Sequence, residues 1–151
     1  DQLQVFAAQL QLAAELNLPV IIHSRNAFDE TMDVLDRFAK SVKNIVFHCF
    51  SGSPEQAKQV LDRGYYISFT GVVTFKNADR ARQAAALVPL DKLMLETDCP
   101  FLAPQGHRGR RCEPAHVRLV AEAIAAARGI TLDEVGAATT ANAAALFGWA
   151  S

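Results

Sequence analysis

Three side chains capable of holding a cation stand at the ends of short apolar runs. His23 closes LPVIIHSR, His48 closes the apolar part of NIVFHCF, and Asp98 follows KLMLET. A lone histidine after an apolar strand is more often a hydrogen-bonded structural residue than a ligand. A carboxylate at the end of a buried strand is more telling, because it is costly to bury without a cation or a hydrogen-bonding partner. Glu96 lies two residues before Asp98, so strand alternation puts both carboxylates on one face, where they repel unless a cation, proton or donor intervenes. Two imidazoles and a carboxylate at equivalent strand ends form a donor set suited to Zn, Mn or Mg. A cation so held would lower the pKa of a bound water toward about 7, which is hydrolytic chemistry. Cys49 and Cys99 directly follow His48 and Asp98. Extended backbone turns them away from the ligands, so they read as small buried hydrophobes.

The elements that must position these residues alternate between β-rich and helical segments. Leu3, Phe6, Leu10 and Ala14 mark one face of a helix over residues 2–17, which Pro19 ends. Val20 to Ile22 form a strand ending at His23, and a helix follows over Ala27 to Phe38. Asn44 to Phe50 form the next strand. Ser53, Pro54 and Gln56 then have N-cap, first-turn and capping-box positions for a helix that Gly64 closes. Tyr65 to Phe69 are a third strand, Ala78 to Leu87 a helix, and Lys92 to Thr97 a fourth strand. Pro114 opens a helix through Ala127 stopped by Gly129. Thr131 and Glu134 cap another, and Ala143 to Phe147 finish a third before Gly148. This alternation implies parallel βαβ units with right-handed crossovers, so all strand C-terminal ends share one face, where α/β folds place function. The 151 residues fit a single domain spanning 1–151.

Composition excludes more than it selects. With 15 basic and 16 acidic residues the formal net charge is -1, so any nucleic-acid case must rest on local patches. The local patch is the loop after Asp98, where His107, Arg108, Arg110 and Arg111 cluster; arginine forks suit phosphate, though such a loop can equally be a solvated surface. Three cysteines without CxxC spacing argue against a disulfide framework and for a reducing, cytoplasmic setting. No apolar run approaches the roughly 20 residues that span a bilayer, so no membrane role is expected.

The segments QLQLAAELNLPVIIHSR, FHCFSGSPEQA, YYISFTGVVTFKNA, VPLDKLMLETDCPFLAP and RRCEPAHV through TTANAAALFG resemble, in order, the TatD family of metal-dependent hydrolases within the amidohydrolase-like (β/α)₈ barrels. The resemblance implies that His23, His48 and Asp98 are metal ligands and that Glu96 and Arg25 belong to the active-site face, where they would meet substrate. From the residues themselves, Asp98 is also the catalytic candidate, able to deprotonate a bound water, and Arg108, Arg110 and Arg111 are the substrate-binding candidates in the loop on the same face. It further implies divalent metal, two ions in the complete enzyme (Mg, Mn or Zn), and cleavage of DNA phosphodiesters, acting on single strands or ends. Two alternatives are an ester or amide hydrolase of the same superfamily, and a catalytically incomplete chain that only binds or assembles. Cys112 departs from the family's usual asparagine before Glu113-Pro114. The family's His-x-His pair and bridging glutamate have no counterpart in the sequence, so the resemblance implies strands five to eight plus the C-terminal helices. Such a half barrel exposes strand edges. It is then a portion of a larger enzyme, the complement of a separate N-terminal half, or one member of a homodimer that closes a four-plus-four barrel.

Overall fold

Asn17 closes the first helix in left-handed backbone, φ 53°, its N–H donating to the Ala14 carbonyl and that of Leu18 to the Ala13 carbonyl. Pro19 follows at the entry to the sheet rather than ending the helix itself. The structure, a computed structural model, describes residues 1–149. Helix α1 (Gln2–Glu15) leads to strand β1 (Val20–Ile22), α2 (Phe28–Phe38), β2 (Ile45–Phe47), α3 (Pro54–Asp62) and β3 (Tyr66–Phe69). Helix α4 (Asp79–Leu87), β4 (Leu93–Leu95), α5 (Val117–Arg128) and α6 (Leu132–Phe147) follow. The four strands form one parallel sheet in the order β1-β2-β3-β4. Its register pairs Ile22 with Phe47, Phe47 with Ile67, and Phe69 with Leu95. Neighbouring strands are consecutive in the chain, and each connection passes through a helix, as the alternation predicts. Among the described residues no helix is long and apolar enough to cross a membrane.

Alternation along the strands divides the interior in two. Ile22, Ile45, Phe47, Ile67, Phe69 and Leu93 face one side and pack with Leu35, Val60, Ala84, Val120 and Ile124 from the helices. Val46 and Met94 face the other side and are covered by Leu146 of α6. Asn142 fixes that helix, its amide donating to the carbonyls of Leu90 and Leu93 at 2.7 Å each. Arg128 ties α5 to α4 by donating from Nη1 to the carbonyls of Ala85, Ala86 and Val88, a cation placed at a helix C-terminus where the dipole favours it.

Local signals set several boundaries. Ser53 and Gln56 form the expected reciprocal capping box, as do Thr131 and Glu134. Gly129 and Gly148 end α5 and α6 in left-handed backbone, φ 66° and 69°. The expected separate helix at Ala143 to Phe147 is instead the last part of α6, which runs unbroken from Leu132. No glycine or proline stands between Ala137 and Phe147 to stop it. The segment after Pro114 starts as a 3₁₀ turn before α5 begins at Val117. On α1 only Leu10 is fully buried, while Leu3, Val5, Leu12 and Leu16 are about half exposed or more.

Candidate metal centre

The strands stop pairing just before the residues of interest, and the sheet's last hydrogen bonds aim them. The His48 N–H donates to the Ile22 carbonyl at 2.9 Å, the Phe50 N–H to the Ser68 carbonyl at 2.9 Å, and the Glu96 N–H to the Phe69 carbonyl at 3.1 Å. His23, His48, Glu96 and Asp98 are therefore gathered at one end of the sheet, the C-terminal end.

His48 is gripped from both sides of its ring. Nδ1 lies 2.9 Å from Glu96 Oε2, and Nε2 lies 3.3 Å from Asp98 Oδ1. The three side chains are between a fifth and a third exposed, so the site opens to solvent on one side. A carboxylate on one imidazole nitrogen fixes the tautomer and leaves the other nitrogen to bind a cation. Glu96 stands where such a carboxylate would, and its other oxygen accepts the Cys49 N–H at 2.6 Å. The separation of Nε2 and Oδ1 matches two donors that each stand about 2.0–2.2 Å from one ion at a tetrahedral angle. The residues present therefore fit a divalent metal.

His23 stands beside this cluster, its ring centroid 5.9 Å from that of His48. It is exposed and borders the groove along β1. Arg25 is exposed on the same groove. The loop after Asp98 is fastened to the loop after β3. The Gln105 N–H donates to Thr74 Oγ1 at 2.8 Å. A side chain on Gly71 would meet the Leu102 carbonyl at 2.5 Å, so that approach requires glycine. Arg108 then stacks over Phe75, 4.2 Å from the ring centroid. Arg82 holds the Phe75 segment by donating to the Val73 and Phe75 carbonyls. Arg110 and Arg111 are exposed and form no ion pair among the described residues. The basic loop is thus anchored beside the strand ends while its guanidinium groups remain open to solvent.

The structure corrects one expectation at the site, for Cys49, and adds one residue to it, Arg80. Cys49 does not point away from the cluster. Its backbone is left-handed, φ 48°, rather than extended, so the alternation rule does not apply to it. Its sulfur, a His48 ring nitrogen and an Asp98 oxygen all lie within 4.8 Å of one another. Burial pushes the Cys49 thiol above its ordinary range, and Thr70 Oγ1 sits 3.3 Å from the sulfur. Arg80 lines a recess of about 210 Å³ with Ser24, His48, Phe50, Ser51 and Gly52, and donates to Gln56 at 3.1 Å. It belongs to α4, and no motif marks it. Cys112 is buried, with its thiol pushed up by that burial.

Residues 1–148 match the model of TatD related DNases. The chain belongs to the TatD family. A metal-dependent hydrolase of Bacillus subtilis, YabD, whose activity is uncharacterized, is 43% identical over 97% of the chain, which covers 57% of that relative. The 3'-5' ssDNA/RNA exonuclease TatD of Erwinia amylovora is 39% identical over 98% of the chain and 59% of its own length. Among solved structures, the TatD homologue YJJV of Escherichia coli superposes with a TM-score of 0.87 at 34% identity, over 94% of this chain and 54% of that one. The chain therefore spans between half and three fifths of the TatD relatives it matches, with the α/β parallel-sheet fold they share.

Proposed function

We propose that this chain carries part of the active face of a divalent-metal-dependent hydrolase that cleaves nucleic-acid phosphodiester bonds, single-stranded DNA foremost. The observation that carries the reading is His48, held between Glu96 on Nδ1 and Asp98 on Nε2 at the C-terminal end of a parallel sheet. In this reading His48, Asp98 and, after the neighbouring strand, His23 would hold the ion. A divalent ion there would supply Lewis-acid polarisation of a phosphoryl oxygen and acidify water. Glu96 keeps the His48 proton on Nδ1, which leaves Nε2 bare to take a cation. The free oxygen of Asp98 takes a proton from the attacking water. Arg25, Arg108, Arg110 and Arg111 bind the phosphate backbone, to which guanidinium forks are matched. The exonuclease name carried by the Erwinia relative supports the substrate class.

The alternative within the superfamily is a neutral ester or amide, and the arginines separate the two. Replacing Arg108, Arg110 and Arg111 together with Gln should weaken single-stranded DNA binding and reduce its log–log salt slope by about 2, since each phosphate contact contributes roughly 0.7 on single strands. Fluorescence anisotropy across a salt series reads this. Unchanged DNA affinity, with an unchanged salt slope, would sink the assignment of this loop to phosphate.

The reading also places these four strands in the second half of an eight-stranded barrel. Its support is the coverage of the relatives and the state of β1. Ile21 is 57% exposed and borders a groove of about 780 Å³ lined by Leu3, Phe6, Leu16 and Leu18. An open strand edge beside apolar surface invites pairing. The neighbouring strands then come from a further segment of a larger enzyme, from a separate complementary half or from a second copy. Sedimentation at micromolar concentration should show the chain self-associated if a second copy serves, and a monomer would exclude the second copy.

A further inference from the structure

We propose that Phe101 is a stacking platform for a nucleobase beside the strand ends, so that a single strand is held by a base as well as by its phosphates. The proposal rests on the reading that nucleic acid is the substrate, and it adds a contact that selects unpaired bases. Phe101 is 71% exposed, more than any other large apolar side chain among the described residues. A ring left in water forgoes the burial that ordinarily stabilises a fold. Nor is its π-face occupied: among the described residues it stacks on no aromatic ring and lies under no cation.

The backbone that carries the ring is held on both sides. The Phe101 N–H donates to the Asp98 carbonyl at 2.7 Å, so the ring leaves the chain one tight turn after Asp98. The next residue, Leu102, has left-handed backbone, φ 51°, which a non-glycine residue keeps only where its surroundings over-determine it. Here the Leu102 carbonyl sits against Gly71, where a side chain would meet it at 2.5 Å, and Ala103 and Pro104 are buried. A platform held in place loses little freedom when a base settles on it. The same turn brings a guanidinium close by. The Cys112 N–H donates to the Pro100 carbonyl at 3.0 Å and closes the neck of the basic loop. Phe101 and Arg111 are the first and last residues of that loop, and both are exposed. A π-face and a phosphate-binding fork leaving the backbone side by side match the base and phosphate of one strand. Every base has a π-face, so the platform accepts any sequence. A duplex, whose bases already stack on one another, is refused.

The test is fluorescence anisotropy of the full chain with labelled oligothymidylate across a salt series, with a chelator present so that binding is read without cleavage. Phe101→Ala should weaken binding about 5- to 150-fold, the worth of one stacked base, and leave the log–log salt slope unchanged. Arg111→Gln should instead lower that slope by about 0.7. Phe101→Trp should bind at least as tightly as the unaltered protein. Made together with Trp149→Phe, it should show fluorescence quenched as the oligonucleotide is added. An abasic strand of the same length should bind the unaltered protein and Phe101→Ala equally. Oligothymidylate binding that Phe101→Ala leaves intact overturns the platform and leaves the nucleic-acid reading standing. A loss in Phe101→Ala that is as large on the abasic strand overturns it as well, and marks Phe101 as a packing residue. No binding of either strand by the folded protein overturns both.

Discussion

Asp98→Asn should slow metal-dependent cleavage of single-stranded DNA by about 10³-fold, because the several kcal/mol of transition-state stabilisation that a bound ion supplies convert at about 1.4 kcal/mol per factor of ten. The substitution preserves the shape of the side chain and a carbonyl oxygen 3.3 Å from His48 Nε2. It removes the negative charge that draws the cation and the second oxygen that takes the proton. Because Asp98 is a third exposed and outside the packed core, folding should be little affected, and circular dichroism checks this. Single-turnover rates at saturating Mn²⁺ separate the loss of chemistry from the loss of metal. A rate close to that of the unaltered protein would remove Asp98 from the site.

Glu96→Gln should weaken divalent-metal binding about 10- to 100-fold, the usual range for losing the outer carboxylate of a ligating histidine. The reason is a tautomer. Glutamine has one acceptor oxygen and one donor nitrogen. If the oxygen keeps the Cys49 N–H, the amide nitrogen faces His48 Nδ1 and demands an acceptor there. The imidazole proton then moves to Nε2, the atom that faces Asp98 and must be bare to bind an ion. Isothermal titration calorimetry gives the affinity, and nitrogen chemical shifts of the His48 ring give the tautomer. Unchanged affinity with the proton still on Nδ1 would show that Glu96 does not position the ring.

Much of the fold was legible because its signals are local. The Ser53–Gln56 and Thr131–Glu134 capping boxes, the glycine stops at Gly129 and Gly148, and the apolar runs of β1 to β4 each depend on a few adjacent residues. What failed was decided at a distance. Asn44 to Phe50 read as one strand, yet the regular strand spans Ile45–Phe47 and Cys49 turns left-handed. The partner that holds that turn is Glu96, 47 positions away, and no window on the sequence contains both. The same holds for Arg80, which reaches the recess beside His48 from another helix. For the site itself, strand alternation put Glu96 and Asp98 on one face, and both do reach His48. It could not show that they take opposite nitrogens of the ring, which separates a positioning carboxylate from a ligating one.

The most direct measurement is Mn²⁺-dependent degradation of end-labelled single-stranded DNA by the folded chain, set beside His48→Ala and a chelator control. The expected result is cleavage that requires the metal and disappears in His48→Ala, with the circular dichroism spectrum unchanged. Cleavage that persists undiminished in His48→Ala, or a folded protein that binds Mn²⁺ through His48 and leaves DNA intact, would contradict a phosphodiesterase built on this histidine.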